Sequence, residues 1–150
     1  MSHTYSTLWV HVVFSTKGRA PVIKGEFRQR LYSYMAAIIN DQFGFARKIG
    51  GTADHVHLLA DMKTSTSAAD MLRVVKTNSS RWVNLNFRDF TKFAWQTGYG
   101  LFSVSVSVAP RVVKYIEDQE EHHRHETFEQ EFVRLLEKHG IRYDKKYLLD

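Results

Sequence analysis

The chain has no cysteine and only two prolines in 150 residues. Without cysteine there is no disulfide, no thiolate metal site and no thiol nucleophile, which suits a reducing compartment. No apolar run is long enough to span a bilayer. Polar residues also interrupt the apolar stretch near the N-terminus, so neither a membrane span nor a signal peptide is expected. A cytoplasmic protein without membrane contacts is the expectation. Internal repeats, low-complexity tracts and linkers are missing, which reads as one domain over residues 1–150. No glycine-rich phosphate loop is present, so a nucleotide-driven reaction is not expected.

What the chain does have is enough apolar residue, 43%, to build one core. A domain of this length buries roughly 68–70% of its unfolded surface. The formal charge of +5 comes from 21 Lys and Arg against 16 Asp and Glu, and favours a polyanionic partner. The charge is uneven. Basic residues from Lys17 to Lys92 crowd the first two thirds, whereas Glu117 to Glu131 is acidic and rich in histidine. Binding and chemistry are expected in different places.

Residues 7–15 alternate, with Leu8, Val10, Val12 and Phe14 on one face and Trp9, His11 and Val13 on the other, as in a central strand. Thr16 to Gly25 reads as a loop, and Glu26 to Phe43 has helical spacing with Gly44 as its stop. Phe45–Gly51 and His55–Met62 read as a hairpin. Ser67 and Asp70 open a second helix, with Ala68, Leu72, Val75, Ser79 and Trp82 as its buried face. An aromatic loop, Arg88–Gly100, leads to a strand over Leu101–Val108. A third helix starts at Pro110 and runs to about His123, and Thr127 with Gln130 can cap a fourth. The order β-α-β-β-α-β plus C-terminal helices predicts an α+β, ferredoxin-like fold with an antiparallel sheet.

Three segments could carry chemistry. His55 and His57 lie two apart on a strand, ~6.6 Å along its axis, so both imidazoles can meet one cation. On a helix, Tyr115, Gln119 and His122 share a stripe at i, i+4 and i+7. A tyrosine is a poor nucleophile at its ordinary pKa, near ~10, and becomes competent beside a metal that polarises a phosphate. Gly98-Tyr99-Gly100-Leu101-Phe102 has the look of an RNA-stacking strand but falls on the wrong strand for one, and reads as a tight turn with aromatic packing.

Together these segments form a pattern. Trp9–Lys17, Asp54–Leu59, Trp95–Ser105 and Tyr115-Ile116 followed by Gln119 and His122-His123 occur in one order over nearly the whole chain. The pattern resembles the single-tyrosine transposases of the insertion sequence 200/605 family, within the His-hydrophobe-His nucleases, and in particular their palindromic-repeat-associated relatives. The resemblance implies a DNA transposase that cuts and rejoins single-stranded DNA through a 5′-phosphotyrosine. Tyr115 would be the nucleophile, with His55, His57 and Gln119 as ligands of Mg²⁺ or Mn²⁺ and His122 as an alternative third ligand. It also implies hairpin-bearing single-stranded DNA as substrate and a homodimer whose sites are completed in trans. Lys17, Arg19, Arg73, Lys76 and Arg81 are the expected DNA-contacting cations. Two other readings stand beside this one. One is a non-catalytic nucleic-acid binder derived from a transposase. The other is a zinc hydrolase using His55, His57 and His122, for which the sequence offers no evident catalytic carboxylate.

Overall fold

A computed structural model describes residues 3–87 and 92–150. Four strands, β1 (Trp9–Ser15), β2 (Gly44–Gly51), β3 (His55–Met62) and β4 (Gly100–Val104), form one antiparallel sheet in the order β2-β3-β1-β4. This is the ferredoxin-like order, with β1 and β3 at the centre. Helices α1 (Gly25–Gln42) and α2 (Ala68–Asn86) cover one face. Val10, Val12 and Phe14 of β1 and Val56, Leu58, Ala60 and Met62 of β3 fill the core beneath them. Ser67 caps α2 by accepting from the Asp70 amide, and Met71, Leu72, Val75, Ser79 and Val83 are its buried residues. Ala68 and Trp82, expected in that face, are only half buried. Residues 88–91 of the aromatic loop lie outside the described residues.

The second face carries α3 (Ala109–Glu117), the single turn α4 (Gln119–His122) and α5 (Phe128–Lys138). Two apolar patches seat them. Leu59, Ala109 and Ile116 pack under α3, while Val13, Phe102, Phe128, Phe132, Leu135 and Leu136 pack under α5. Thr127 and Gln130 form a full capping box at the start of α5.

Two boundaries differ from the sequence expectation. The last strand stops at Val104, where its pairing with Trp9 ends, and Val106–Val108 wind into a 3₁₀ turn. That turn lets the chain leave the β4 edge and carry α3 back across the sheet to β3 and β2. The third helix is also interrupted, at Asp118. There the Gln119 side-chain amide donates to the Tyr115 carbonyl at 3.4 Å. In a continuous helix the backbone N–H of residue 119 would take that carbonyl.

Close approach of α3 depends on Gly50. A Cβ there would fall 2.8 Å from both Ile116 Cγ2 and the Ile116 carbonyl oxygen. Gly50→Ala is therefore expected to push α3 outward and to cost about 1–3 kcal/mol through overpacking. Denaturant unfolding checks this, and an unchanged midpoint would show that α3 does not rest on this glycine.

Candidate active site and metal centre

Between the two apolar patches the sheet presents a polar seam. Strand alternation turns Val56 and Leu58 into the first core, and by the same geometry turns His55 and His57 toward α3–α5. Both histidines are fully buried, and Gln119 and Glu131 are nearly or fully so. His55 Nδ1 lies 2.8 Å from Asp54 Oδ1 and 3.0 Å from the Thr52 hydroxyl. Its Nε2 faces Gln119 Oε1 at 2.9 Å and Glu131 Oε1 at 3.4 Å. His57 Nε2 is 3.0 Å from Glu131 Oε1, and its Nδ1 is 2.8 Å from His11 Nε2.

Glu131 collects the cluster. Its Oε1 also takes His123 Nε2 at 3.0 Å, while Oε2 accepts from the Gln119 amide at 3.1 Å and from the Tyr115 hydroxyl. Arg134, one turn further on α5, donates to the Tyr115 hydroxyl at 2.8 Å and is held by Glu126. The Tyr115 ring stands 5.6 Å from that of His57, centroid to centroid.

The electrostatics follow from burial and partners. Burial opposes ionisation of Glu131, but hydrogen bonds from His123, His55 and His57 outweigh it and hold the carboxyl far below its ordinary range. Burial likewise opposes charge on His55, yet Asp54, Glu131 and Gln119 raise it to about 9. His11, buried and facing His57, is lowered to about 3 and stays neutral. Burial and the adjacent Glu131 charge raise the Tyr115 phenol above its usual value, so it needs a proton acceptor to react.

This donor set fits a divalent ion. Both nitrogens of His55 face oxygen acceptors, and the Gln119 amide is oriented by its own N–H bonds, so the space at Nε2 calls for a positive charge. A proton can supply it, and so can a metal. One ligand atom each from His55, His57 and Glu131 lie within 4.8 Å of one another, with Gln119 Oε1 beside them. Nitrogen and oxygen donors with one carboxylate could hold such an ion. His57 can join by carrying its proton on Nδ1 and donating it to His11 Nε2, which leaves the lone pair of its own Nε2 free.

The structure thus brings Tyr115, His55, His57 and Gln119 together within one chain. His122 Nε2 instead faces Glu126 and Arg134 and lies 3.8 Å from Glu131, so that with these two carboxylates it forms a second group whose ligand atoms lie within 4.8 Å of one another. The expected basic set lies elsewhere. Arg73, Lys76 and Arg81 belong to α2, on the opposite layer, and the Lys76 ammonium is committed to the Thr97 and Gly98 carbonyls at 3.0 and 2.9 Å. Lys17 and Arg19 are exposed on a turn after β1.

Glu131, Arg134, His11 and His123 were not among the expected site residues. Glu131 supplies the buried carboxylate that the sequence did not reveal. A signal for it existed: Phe128, Glu131, Phe132, Leu135 and Leu136 share one stripe of α5, and a carboxylate in an apolar stripe needs a partner.

Two substitutions test the cage. His55→Ala and Glu131→Gln are each expected to weaken Mn²⁺ binding by at least roughly 10–100-fold, read by titration calorimetry or electron paramagnetic resonance. Ion binding must displace the His55 proton, so affinity should rise as the pH climbs toward about 9. Equal Mn²⁺ affinity in wild type and both variants would remove the cage.

Comparison with known proteins gives the family and the fold. Residues 4–119 match the family model described as "Transposase IS200 like". Two solved structures share the fold. One is assigned as a transposase from Deinococcus radiodurans R1, with TM-score 0.64 and 22% identity over 79% of this chain and 95% of that one. The other is a REP-associated tyrosine transposase bound to a REP hairpin, with TM-score 0.60 and 12% identity over 82% of this chain and 74% of that one. No match was found among curated proteins. The family match spans strands, histidine pair, tyrosine and glutamine alike, and the chain belongs to the IS200-like transposases.

Proposed function

We propose that the protein cuts and rejoins hairpin-bearing single-stranded DNA, with Tyr115 as the nucleophile. The observation that carries this reading is that the Tyr115 hydroxyl rests on the same carboxylate that faces both histidines. A nucleophile and a cation cage joined through one residue can act on one phosphate. The likeness to a transposase bound to a REP hairpin supports the choice of substrate.

Tyr115 gives up its proton to water as it attacks; Glu131 Oε2, held too far below its ordinary range to be a strong base, accepts the phenol hydrogen bond and orients the attacking oxygen. The phenolate oxygen forms a bond to phosphorus, and the P–O3′ bond breaks. The products are a 5′-phosphotyrosine and a strand ending in a 3′-hydroxyl. Arg134 stays beside the reacting oxygen, where its charge stabilises the phenolate and the phosphate it attacks. Mg²⁺ or Mn²⁺ held by His55, His57, Gln119 and Glu131 would supply positive charge to the phosphate and the departing oxygen. The phosphotyrosine retains the energy of the broken phosphodiester, so a 3′-hydroxyl rejoins the strand without a nucleotide. Exposed Lys17, Arg19, Arg73 and Arg81 add long-range attraction for the DNA.

Moving a DNA segment needs two cleavages, so a homodimer is the expected working unit. Within the single chain Tyr115 and Gln119 reach the histidines of their own sheet, which is completion in cis. Exchange of α3 to α5 between protomers would rebuild the same contacts in trans, the arrangement that the family resemblance implies.

Tyr115→Phe keeps the ring and removes the attacking oxygen. The covalent adduct with single-stranded DNA should fall by at least about 10³-fold while DNA affinity stays nearly unchanged. An adduct mapped by mass spectrometry to Tyr99 or Tyr143 would refute the assignment, and a protein that binds DNA without any adduct would be a non-catalytic binder. Mixing His57→Ala with Tyr115→Phe protein, with subunit exchange verified, should leave cleavage absent if sites are complete in cis. Recovered cleavage would establish completion in trans.

A further inference from the structure

A cavity of about 420 Å³ opens beside Tyr115, between β4, α3 and α5. That volume lies in the ~300–1,000 Å³ range of small-ligand sites. Val104, Val108, Val112 and Leu135 give it apolar walls, and at its floor Phe102 stacks on His139 with ring centroids 4.4 Å apart. Arg111 from α3 and Lys138 from α5 stand on its lining, and no carboxylate does. Neither of these two cations has an ion-pair partner among the described residues. The combination is that of a site for one flat, partly apolar group attached to an anion.

We propose that this cavity holds the nucleotide on the 3′ side of the cut, its base in the apolar cleft and its 3′ phosphate met by Arg111 and Lys138. The inference rests on the phosphotyrosine reading above. Tyr115 itself lines the cavity. The nucleotide that becomes joined to Tyr115 is tethered to the phenol oxygen through a single phosphate, so it must lie within one nucleotide's reach of that oxygen. The nucleotide on the other side departs with its 3′-hydroxyl and has no such tether. Both cations lie outside the set that touches the reacting atoms, and Lys138 also lies beyond the family match at residues 4–119.

The experiment uses the full chain and a labelled hairpin-bearing single strand whose cut position is mapped from its adduct. For the Arg111→Ala/Lys138→Ala protein, the log–log dependence of affinity on salt should be shallower by about 0.7, the value for one single-strand phosphate no longer neutralised. Making the 3′-side nucleotide abasic should weaken binding to the wild type by about 10-fold, within the range for one stacked base. The same abasic strand should bind Val108→Trp, whose added ring fills the cleft, no more weakly than the intact strand does. An abasic nucleotide on the 5′ side should have no comparable effect. An unchanged salt slope, or abasic effects equal on both sides of the cut, overturns the assignment while leaving the phosphotyrosine reading intact if the adduct still forms. Absence of any adduct overturns both.

Discussion

Glu131 is a charge taken wholly out of water, and a lone carboxylate in that position would cost several kcal/mol, of the order expected for an unpaired buried ion. It is tolerated because its two oxygens meet His57, His123, Tyr115 and Gln119. These partners come from β3, the end of α4, α3 and α4, so one carboxylate fixes three separate segments against α5. Its place in the first turn of a capped helix adds the favourable sign of the helix dipole. Loss of the capping box would loosen the origin of α5 and, with it, the position of every group that Glu131 holds.

The sheet supplies the other half of the constraint. β1 and β3 are the central strands, and their register sets Val13 opposite His57 and His11 opposite Leu59. Polar and apolar residues therefore share one face. The apolar ones are drawn into the patches under α3 and α5, which leaves His11, His55 and His57 in the seam between. Water is excluded from that seam by the same packing that holds the helices. The result is a site in which electrostatic interactions are stronger than in water, and in which an unpartnered polar group would be correspondingly costly.

Much of this was legible locally. Alternation in residues 7–15 and 55–62 identified the central strands and the faces of each, because period-two patterning survives in strands with a core on one side. Tyr115, Gln119 and the histidine pair were readable because each belongs to a short motif. Glu131 and His11 were not, because their meaning lies in contacts across 74 and 46 residues of sequence to His57. The end of β4 failed for a related reason. Serine and valine continue to alternate to Val108, but the strand lasts only while β1 is there to pair with it. A one-strand pattern carries no information about where its neighbour ends.

α5 lies beyond the residues that the family model matches. The family match ends at Gln119, after both histidines and the tyrosine but before Glu131 and Arg134. The matched part thus contains the tyrosine, the histidine pair and the glutamine, while the remaining helix adds the carboxylate under the phenol and the cation beside it. It also covers Val13 and Phe102, which would otherwise stand open on the sheet. Because Phe128 and Phe132 bury against that patch on the same stripe as Glu131, α5 cannot be seated without delivering its carboxylate to the site. Folding of the last helix and completion of the cage are one event.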